Sequence, residues 1–170
     1  MNGWTKSDYA VLALGEDYPD ALCAAPLAGK YKAPILLTET NSIPASTLAT
    51  IQQLQVKNIF IIGGTGVISK HVQDKLTVLG ITTTRLVGQT RYDTDIAVAK
   101  QLGTVSQIAV VTGEDYADAL SGSVLAGLKG NPLILVGSGI TNEENLLQLV
   151  APNATIKVLG GIEEQYQIIL

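Results

Sequence analysis

The residues best suited to chemistry are carboxylates that occur twice with the same spacing. The segments GEDYPDAL and GEDYADAL supply Glu16, Asp17, Asp20, Glu114, Asp115 and Asp118. Clustered carboxylates could hold magnesium or act as a general acid and base. Asp17 and Asp115 are better suited to the amino end of a helix, where they would accept backbone N–H bonds and favour the helix dipole. We prefer this capping role and keep the metal or catalytic role as the alternative.

A glycine-rich segment could bind phosphate. Gly63 and Gly64 follow a predicted strand and precede a predicted helix, but the segment lacks the Lys-Ser/Thr pair of a P-loop and the glycine spacing of a nucleotide fingerprint. Its second copy, Gly160 and Gly161, is followed by Ile-Glu, which places an acid where phosphate would lie. We interpret both copies as tight turns in which glycine supplies a positive φ.

Arg85, Arg91 and Tyr92 could contact an anionic or sugar-containing ligand. Arg85 lies in a predicted strand, and Arg91 and Tyr92 open the helix after it, so these groups converge at one sheet edge. A guanidinium can hold a carboxylate or phosphate with two parallel hydrogen bonds, and tyrosine can stack on a sugar ring. An internal pair of Arg91 with Asp93 or Asp95 explains the same residues equally well.

The elements that position these residues repeat along the chain. Besides GEDYxDAL, the chain repeats Leu-Ala-Gly and a Pro-apolar strand at the same offset, and a Gly-Gly pair after a one-residue deletion. The repeated pairs are 15–22 with 113–120, 27–29 with 125–127, 34–37 with 132–135, and 63–64 with 160–161. Such self-similarity indicates an internal duplication.

The duplication contains a finer rhythm of strands and helices. Short aliphatic runs begin near Tyr9, Ala33, Asn58, Thr82, Gln107, Pro132 and Thr155. All of these runs except the one at Thr82 are continuously apolar, which is typical of parallel strands covered by helices on both faces. Ser42 with Pro44, Ser69 and Thr90 mark predicted helix starts, and Thr90 with Asp93 has capping-box spacing. The expected fold is α/β: a layered αβα structure of tandem βα repeats with mostly parallel sheets.

Two incomplete repeats are expected within this fold. The first occupies residues 1–80 and lacks its beginning, because 83–102 has no earlier copy; the second occupies 81–170 and is incomplete at its end. No Pro-, Gly- or Ser-rich linker separates them, so we expect the halves to pack closely.

Composition excludes several functional classes. The 15 acidic and 11 basic residues give a net charge of −4, which argues against a general nucleic-acid binder. With 46% hydrophobic and 15% charged residues, disorder is not expected. No apolar run approaches the roughly 18 residues of a membrane span, and the first residues lack a secretory-signal pattern. One cysteine and one histidine cannot form a disulfide or a zinc cluster, and no cofactor motif is present, so no metal or cofactor is expected.

The motifs together resemble a known family. The stretch RLVGQTRYDTDIAVAKQL, followed by VVTGEDYADALSGSVLAGLKGNPLILV and VLGG, is similar to the type 2 cell-wall-binding repeat of Gram-positive surface proteins. The Gly-x-x-Arg-Tyr-Asp-Thr box matches once, at 88–94, whereas the Asp-Ala-Leu box and the Pro-apolar strand match in both copies.

The resemblance implies a non-catalytic module that anchors an exported protein, such as a surface-layer protein, non-covalently to an anionic cell-wall polymer. It implies an extracellular location at the cell wall, and further copies of the repeat as partners, with a homo-oligomer as one form. It also carries the family's Ile-Leu-Leu anchoring element to Ile35-Leu36-Leu37 and, in altered order, to Leu133-Ile134-Leu135. As strand residues, these six are also expected in the buried core.

Two other functions compete with this one. A magnesium-dependent phosphoryl-transfer or nuclease-like domain would use the GEDYxD carboxylates, although no lysine or base accompanies them. A purely structural assembly unit would use the high apolar content to bind a partner copy. For the polymer hypothesis, the net charge of −4 requires a local cationic cluster, for which Arg85 and Arg91 are our first choice.

Overall fold

In the part of the chain that the structure describes, seven parallel strands form two sheets. The computed structural model describes residues 5–16, 22–103, 105–112, 116–136 and 150–159. The first sheet has the order β2-β1-β3-β4 and the second β6-β5-β7, and each strand pair is parallel. The strands are β1 (Tyr9–Leu14), β2 (Ile35–Thr38), β3 (Asn58–Ile62), β4 (Thr82–Leu86), β5 (Val105–Thr112), β6 (Leu133–Val136) and β7 (Val150–Leu159). The predicted strand rhythm and the layered α/β fold are confirmed.

Five helices connect or cover these strands in the described ranges. They are α1 (Ala25–Tyr31), α2 (Ala45–Gln53), α3 (Lys70–Val78), α4 (Arg91–Leu102) and α5 (Tyr116–Lys129). Ser69 and Thr90 occupy the N-cap positions of α3 and α4, as the sequence predicts. Thr90 caps α4 with its side chain, whereas Ser69 makes no side-chain cap bond and its amide donates to the Thr40 carbonyl oxygen at 2.8 Å.

Helices cover both faces of the first sheet. On one face, Leu12, Ile59 and Ile61 pack with residues of α2 and α3. On the other face, Val11 and Phe60 pack with residues of α1 and α4. The central strands β1 and β3 are buried on both faces and therefore need apolar residues at successive positions, which explains their continuous aliphatic runs.

Helix α4 belongs to the cores of both sheets. Its residues Val98 and Leu102 pack against the first sheet, in the cluster that contains Phe60. Its residues Ile96 and Ala99 pack against the second sheet, in the cluster that contains Ile108 and Val110. The two halves of the chain therefore share one helix layer.

Helices α1 and α5, which are equivalent in the duplication, also join the halves. Gly29 of α1 lies directly against Gly127 of α5, and a Cβ on Gly29 would overlap the Gly127 carbonyl oxygen. Ala25 and Ser123 lie one turn before the two glycines, so each helix presents small residues at the crossing. Small residues let the two backbones approach closely, and the halves pack together as the absence of a linker predicts.

The duplication is visible in the backbone of both sheets. The Val11 amide donates to the Pro34 carbonyl oxygen and the Ala109 amide donates to that of Pro132, each at 2.9 Å. The strand after Gly80 adds to the first sheet, because Thr82 pairs in register with Asn58. The first sheet thus continues past residue 80, and the division into 1–80 and 81–170 stays a proposal about sequence repeats.

Candidate functional site

The carboxyl ends of the strands meet the amino end of α4. Strand β4 ends at Leu86 and α4 begins at Arg91, after which the helix runs between the two sheets. Open parallel sheets bind ligands at the carboxyl ends of their strands. The first turn of α4 is therefore the candidate site, and we call residues 88–95 the α4 start.

A network of backbone and side-chain bonds fixes the α4 start. Thr90 Oγ1 accepts from the Asp93 amide at 3.2 Å, and an Asp93 carboxylate oxygen accepts from the Thr90 amide at 3.1 Å, which forms the predicted capping box. The Gly88 amide donates to Thr94 Oγ1 at 3.1 Å. A Cβ on Gly88 would overlap Asp93, so only glycine fits there. The Gly-x-x-Arg-Tyr-Asp-Thr box at residues 88–94 thus serves in large part to start helix α4.

Asp95 ties the α4 start to the second sheet. Its carboxylate Oδ2 accepts a hydrogen bond from the Leu135 amide at 2.5 Å, and the Asp95 residue is 1% exposed. Leu135 lies at the carboxyl end of β6, an edge strand of the second sheet. Because an edge strand has outward-facing amides without strand partners, this carboxylate satisfies a group that would otherwise be buried without one.

Arg91 and Tyr92 lie on the first turn of α4, and their side chains are outside the described residues. Arg91 is four residues before Asp95, so it occupies a position on the same side of the helix, one turn nearer the amino end. Because the Arg91 side chain is outside the described residues, its internal pairing with Asp93 or Asp95 stays a prediction.

Arg85 has internal partners. Its Nη1 donates to the Gly63 carbonyl oxygen at 2.7 Å and its Nε donates to Gln73 Oε1 at 3.1 Å. Burial lowers the pKa of the Arg85 guanidinium from its ordinary value, although arginine keeps its charge in proteins. These contacts hold the loop after β3 to α3. A contact between Arg85 and the polymer stays a prediction.

The Gly63-Gly64 loop is a tight turn. Gly63 has a φ of 98°, and its amide donates to the Leu86 carbonyl oxygen at 2.8 Å. A Cβ on Gly64 would lie 3.4 Å from the Val87 side chain. The positive φ predicted for this turn is present at Gly63, whereas Gly160 and Gly161 lie outside the described residues.

The two copies of the anchoring element differ in exposure. Leu133, Ile134 and Leu135 are 1%, 2% and 5% exposed, which confirms that they belong to the core. In the first copy, Ile35 and Leu36 are half-buried and Leu37 is 50% exposed, so the core assignment of Leu37 is wrong. Leu37 lies on an edge strand and is in none of the core clusters of the described residues, whereas Leu135 packs in one cluster with Leu22 and Cys23.

The carboxylates of the alternative enzyme function fall mostly outside the described residues. Asp17, Asp20, Glu114 and Asp115 lie there, and so does the side chain of Asp118. Among the residues that the structure describes, no three His, Cys, Asp or Glu side chains are grouped to hold a metal ion.

Sequence reasoning missed the residues that build the α4 start from inside. Asp95, Thr94 and Gly88 make its buried contacts, and none of them was a candidate for that role. The sequence does contain a signal for the buried position of Asp95. Asp95 is four residues before Ala99, so both residues lie on the side of the helix that faces the core.

Comparison with known proteins assigns the family. The family described as cell wall binding domain 2 (CWB2) matches residues 3–73 and 85–164, one match in each half of the duplication. This chain belongs to the CWB2 family. The CWB2 chain therefore binds cell walls and is located at the bacterial cell wall, as the sequence resemblance implies. None of its described helices has the length and apolar character needed to cross a bilayer.

Relatives of the CWB2 chain include two proteins of Bacillus subtilis (strain 168). It is 34% identical to N-acetylmuramoyl-L-alanine amidase LytC over 139 residues, which are 82% of this chain and 28% of that protein. It is 32% identical to an amidase enhancer over 163 residues, which are 95% of this chain and 23% of that protein. The CWB2 chain thus spans about a quarter of these relatives.

Two solved structures from Clostridium difficile share the fold. Cwp8 is 31% identical with a TM-score of 0.83, covering 94% of this chain and 28% of that one. Cwp6 is 32% identical with a TM-score of 0.77, covering 84% of this chain and 23% of that one. The layered α/β architecture is thus common to this chain and these proteins.

Proposed function

We propose that the CWB2 chain is a non-catalytic module that holds an exported protein non-covalently on an anionic cell-wall polymer. Its family is a cell wall binding family, and the match to an amidase covers only 28% of that enzyme. The GEDYxD carboxylates then serve as helix caps.

One observation supports a location for the polymer contact. The α4 start joins the carboxyl ends of β4 and β6 through the capping box of Thr90 and Asp93 and the bond from Leu135 to Asp95. We assign the polymer contact to Arg91 and Tyr92 of this first turn, because a guanidinium can hold an anion with two hydrogen bonds and a tyrosine ring can stack on a sugar. The helix dipole adds a partial positive charge at the same end, which favours an anion.

The polymer contact must be local because the whole chain carries a net charge of −4. Exposed ion pairs contribute up to about 1 kcal/mol each, so strong attachment requires many weak contacts. Repetition of the module provides them, because each bound copy raises the effective concentration of the next.

Co-sedimentation with purified cell walls, before and after acid extraction of their secondary polymers, tests this function. We expect the chain to sediment with intact walls and to stay in the supernatant with extracted walls. Arg91→Ala should reduce the fraction of protein retained by the walls several-fold. Lys100→Ala, which removes the same charge from the other end of α4, should be retained as well as the wild type.

Two outcomes would contradict the proposal. Equal retention by extracted walls would exclude the secondary polymer as the ligand. Equal loss in the Arg91 and Lys100 variants would mean that net charge, and not the α4 start, governs binding. Thermal melting of both variants checks that neither change acts through folding.

A further inference from the structure

Two tyrosines and two lysines lie together where β1 begins and α1 ends, at the edge of the first sheet opposite the α4 start. Lys6 and Tyr9 are at the beginning of β1, and Tyr31 and Lys32 are at the end of α1. All four line a groove of about 1140 Å³, which is large enough for a small ligand. We call these four residues the Tyr-Lys cluster.

The two tyrosines form an aromatic wall of the groove. The ring centroids of Tyr9 and Tyr31 are 4.8 Å apart, and those of Tyr9 and Phe60 are 5.8 Å apart. Phe60 is 5% exposed, whereas both tyrosines are half-buried. Phe60 therefore holds the two rings in place while part of each ring remains on the groove. A fixed, partly exposed tyrosine ring offers a flat apolar surface on which a sugar ring can stack.

The two lysines give this end of the groove a positive charge. Asp8 also lines the groove, but its Oδ1 is 3.2 Å from Lys57 Nζ, so its charge is already paired. The side chains of Lys6 and Lys32 are exposed and make no ion pair with the residues that the structure describes. Two ammonium groups are therefore available for an anion.

Lys32 has a backbone conformation that favours glycine. Its φ is 47°, in the left-handed region, and its amide donates to the Gly29 carbonyl oxygen at 3.2 Å to end α1. The equivalent residue of the second copy is Gly130, with a φ of 64°. Ser7 Oγ donates to the Lys32 carbonyl oxygen at 3.3 Å, which ties Lys32 to the beginning of β1. A lysine kept at a position where glycine costs less indicates a role for its side chain.

The second copy of the repeat lacks the Tyr-Lys cluster. The equivalents of Tyr9 and Tyr31 are Gln107 and Lys129. Asn131 Nδ2 donates to Gln107 Oε1 at 2.9 Å, so an internal amide bond occupies the equivalent place. Because the second copy forms the same strands and helix without these tyrosines, the repeated fold does not require them.

We propose that the Tyr-Lys cluster binds a sugar unit that carries a phosphate or carboxylate. The sugar ring stacks on the exposed part of the tyrosine rings, and Lys6 and Lys32 bind its acidic group. This inference rests on the proposed function, because it names the kind of unit that the chain recognises in the wall polymer. It adds a second contact, at the edge of the sheet opposite the α4 start.

NMR titration of the isotope-labelled chain tests the proposal. Glucose 6-phosphate and glucuronic acid are the probes, and glucose and inorganic phosphate supply the ring and the charge separately. We expect both acidic sugars to shift the amide signals of residues 6–9 and 31–33. Their affinity should be several-fold higher than that of glucose or of inorganic phosphate, because only the acidic sugars engage both parts of the cluster.

Lys32→Gly separates binding from folding. It introduces the residue of the second copy, so the melting temperature should rise by about 2–4 °C while the affinity for glucose 6-phosphate falls several-fold. Gln55→Gly is the matched control, because Gln55 has a φ of 53° and does not line the groove. It should raise the melting temperature without changing the affinity. Lys75→Ala removes the same charge from α3 and should bind like the wild type.

The aromatic part of the site has its own pair of variants. Tyr31→Leu keeps an apolar side chain but removes the ring, so it should weaken binding of glucose 6-phosphate several-fold. Tyr31→Phe keeps the ring and should bind like the wild type. Equal affinity of all Tyr31 and Lys32 variants would overturn the proposal. Inorganic phosphate binding as tightly as glucose 6-phosphate would also overturn it, since the lysines would then act as surface charge alone.

Wall co-sedimentation of the wild type separates this site from the proposed function. Retention by walls without any amide shift by either acidic sugar would overturn the site and leave the proposed function intact. Binding of acidic sugars at residues 6–9 and 31–33 by a chain that walls do not retain would support the site and contradict the proposed function.

Discussion

Gly29 of α1 and Gly127 of α5 hold equivalent positions in the two copies and lie against each other at the helix crossing. A Cβ on Gly29 would overlap the backbone of α5, whereas a Cβ on Gly127 would lie 3.1 Å from the Ala25 carbonyl oxygen. The duplicated Leu-Ala-Gly motif is therefore the place where the two copies touch. The glycines are required by the distance between two backbones, and neither has a positive φ.

Gly29→Ala should destabilise the chain. The new methyl group meets backbone atoms that cannot move away, so we expect the free energy of unfolding to fall by about 1–3 kcal/mol. Gly66→Ala is the control, because a Cβ there has no neighbour within 4 Å, and its effect should stay within about 0.5 kcal/mol. Urea unfolding measures both, and equal stability of the two variants would refute the close crossing.

Asp95→Ala should cost more stability than Asp93→Ala. Loss of Asp95 leaves the buried Leu135 amide without its acceptor, which costs about 1–3 kcal/mol. Loss of Asp93 removes one side of an exposed capping box, which costs about 1 kcal/mol. Thermal or urea unfolding compares the two. The reverse order would mean that the bond between α4 and β6 does not stabilise the fold.

Retention by cell walls should weaken with salt. Raising the ionic strength from about 0.1 M to about 1 M shortens the Debye length from about 10 Å to about 3 Å, which screens contacts between exposed charges and an anionic polymer. Co-sedimentation at several salt concentrations measures this. Arg91→Ala should show a shallower salt dependence than the wild type, since one charged contact is gone. Salt-independent retention would contradict an electrostatic contact.

Addition of magnesium or calcium should release no binding heat in calorimetry. The carboxylates of the two GEDYxD segments act as helix caps in our interpretation, so Asp115→Ala should lower the free energy of unfolding by about 1 kcal/mol and leave wall retention unchanged. Heat on titration with magnesium, lost in Asp115→Ala, would instead support the metal-dependent alternative.

The local sequence was sufficient for the order of strands and helices. The aliphatic runs predict β1 and β3 because both faces of these strands are buried, and Thr90 predicts a helix start because its capping box depends on a few neighbouring residues. The glycine turn at Gly63 follows from the same kind of local requirement.

The exposure and long-range contacts of individual side chains could not be predicted from the local sequence. Leu37 and Leu135 have the same residue type in the same motif, yet one is 50% and the other 5% exposed. The difference arises because Leu135 packs with Leu22 and Cys23 in one core cluster, whereas Leu37 is in none of the core clusters of the described residues. Arg85 is a similar case, since its acceptors Gly63 and Gln73 are 22 and 12 residues away along the chain.

Helix α4 contributes side chains to the cores of both sheets. Loss of order in either half would expose the side of this helix that packs on that half's sheet. We therefore expect the two halves to give way together when the chain is stretched, at one rupture force and not in two stages.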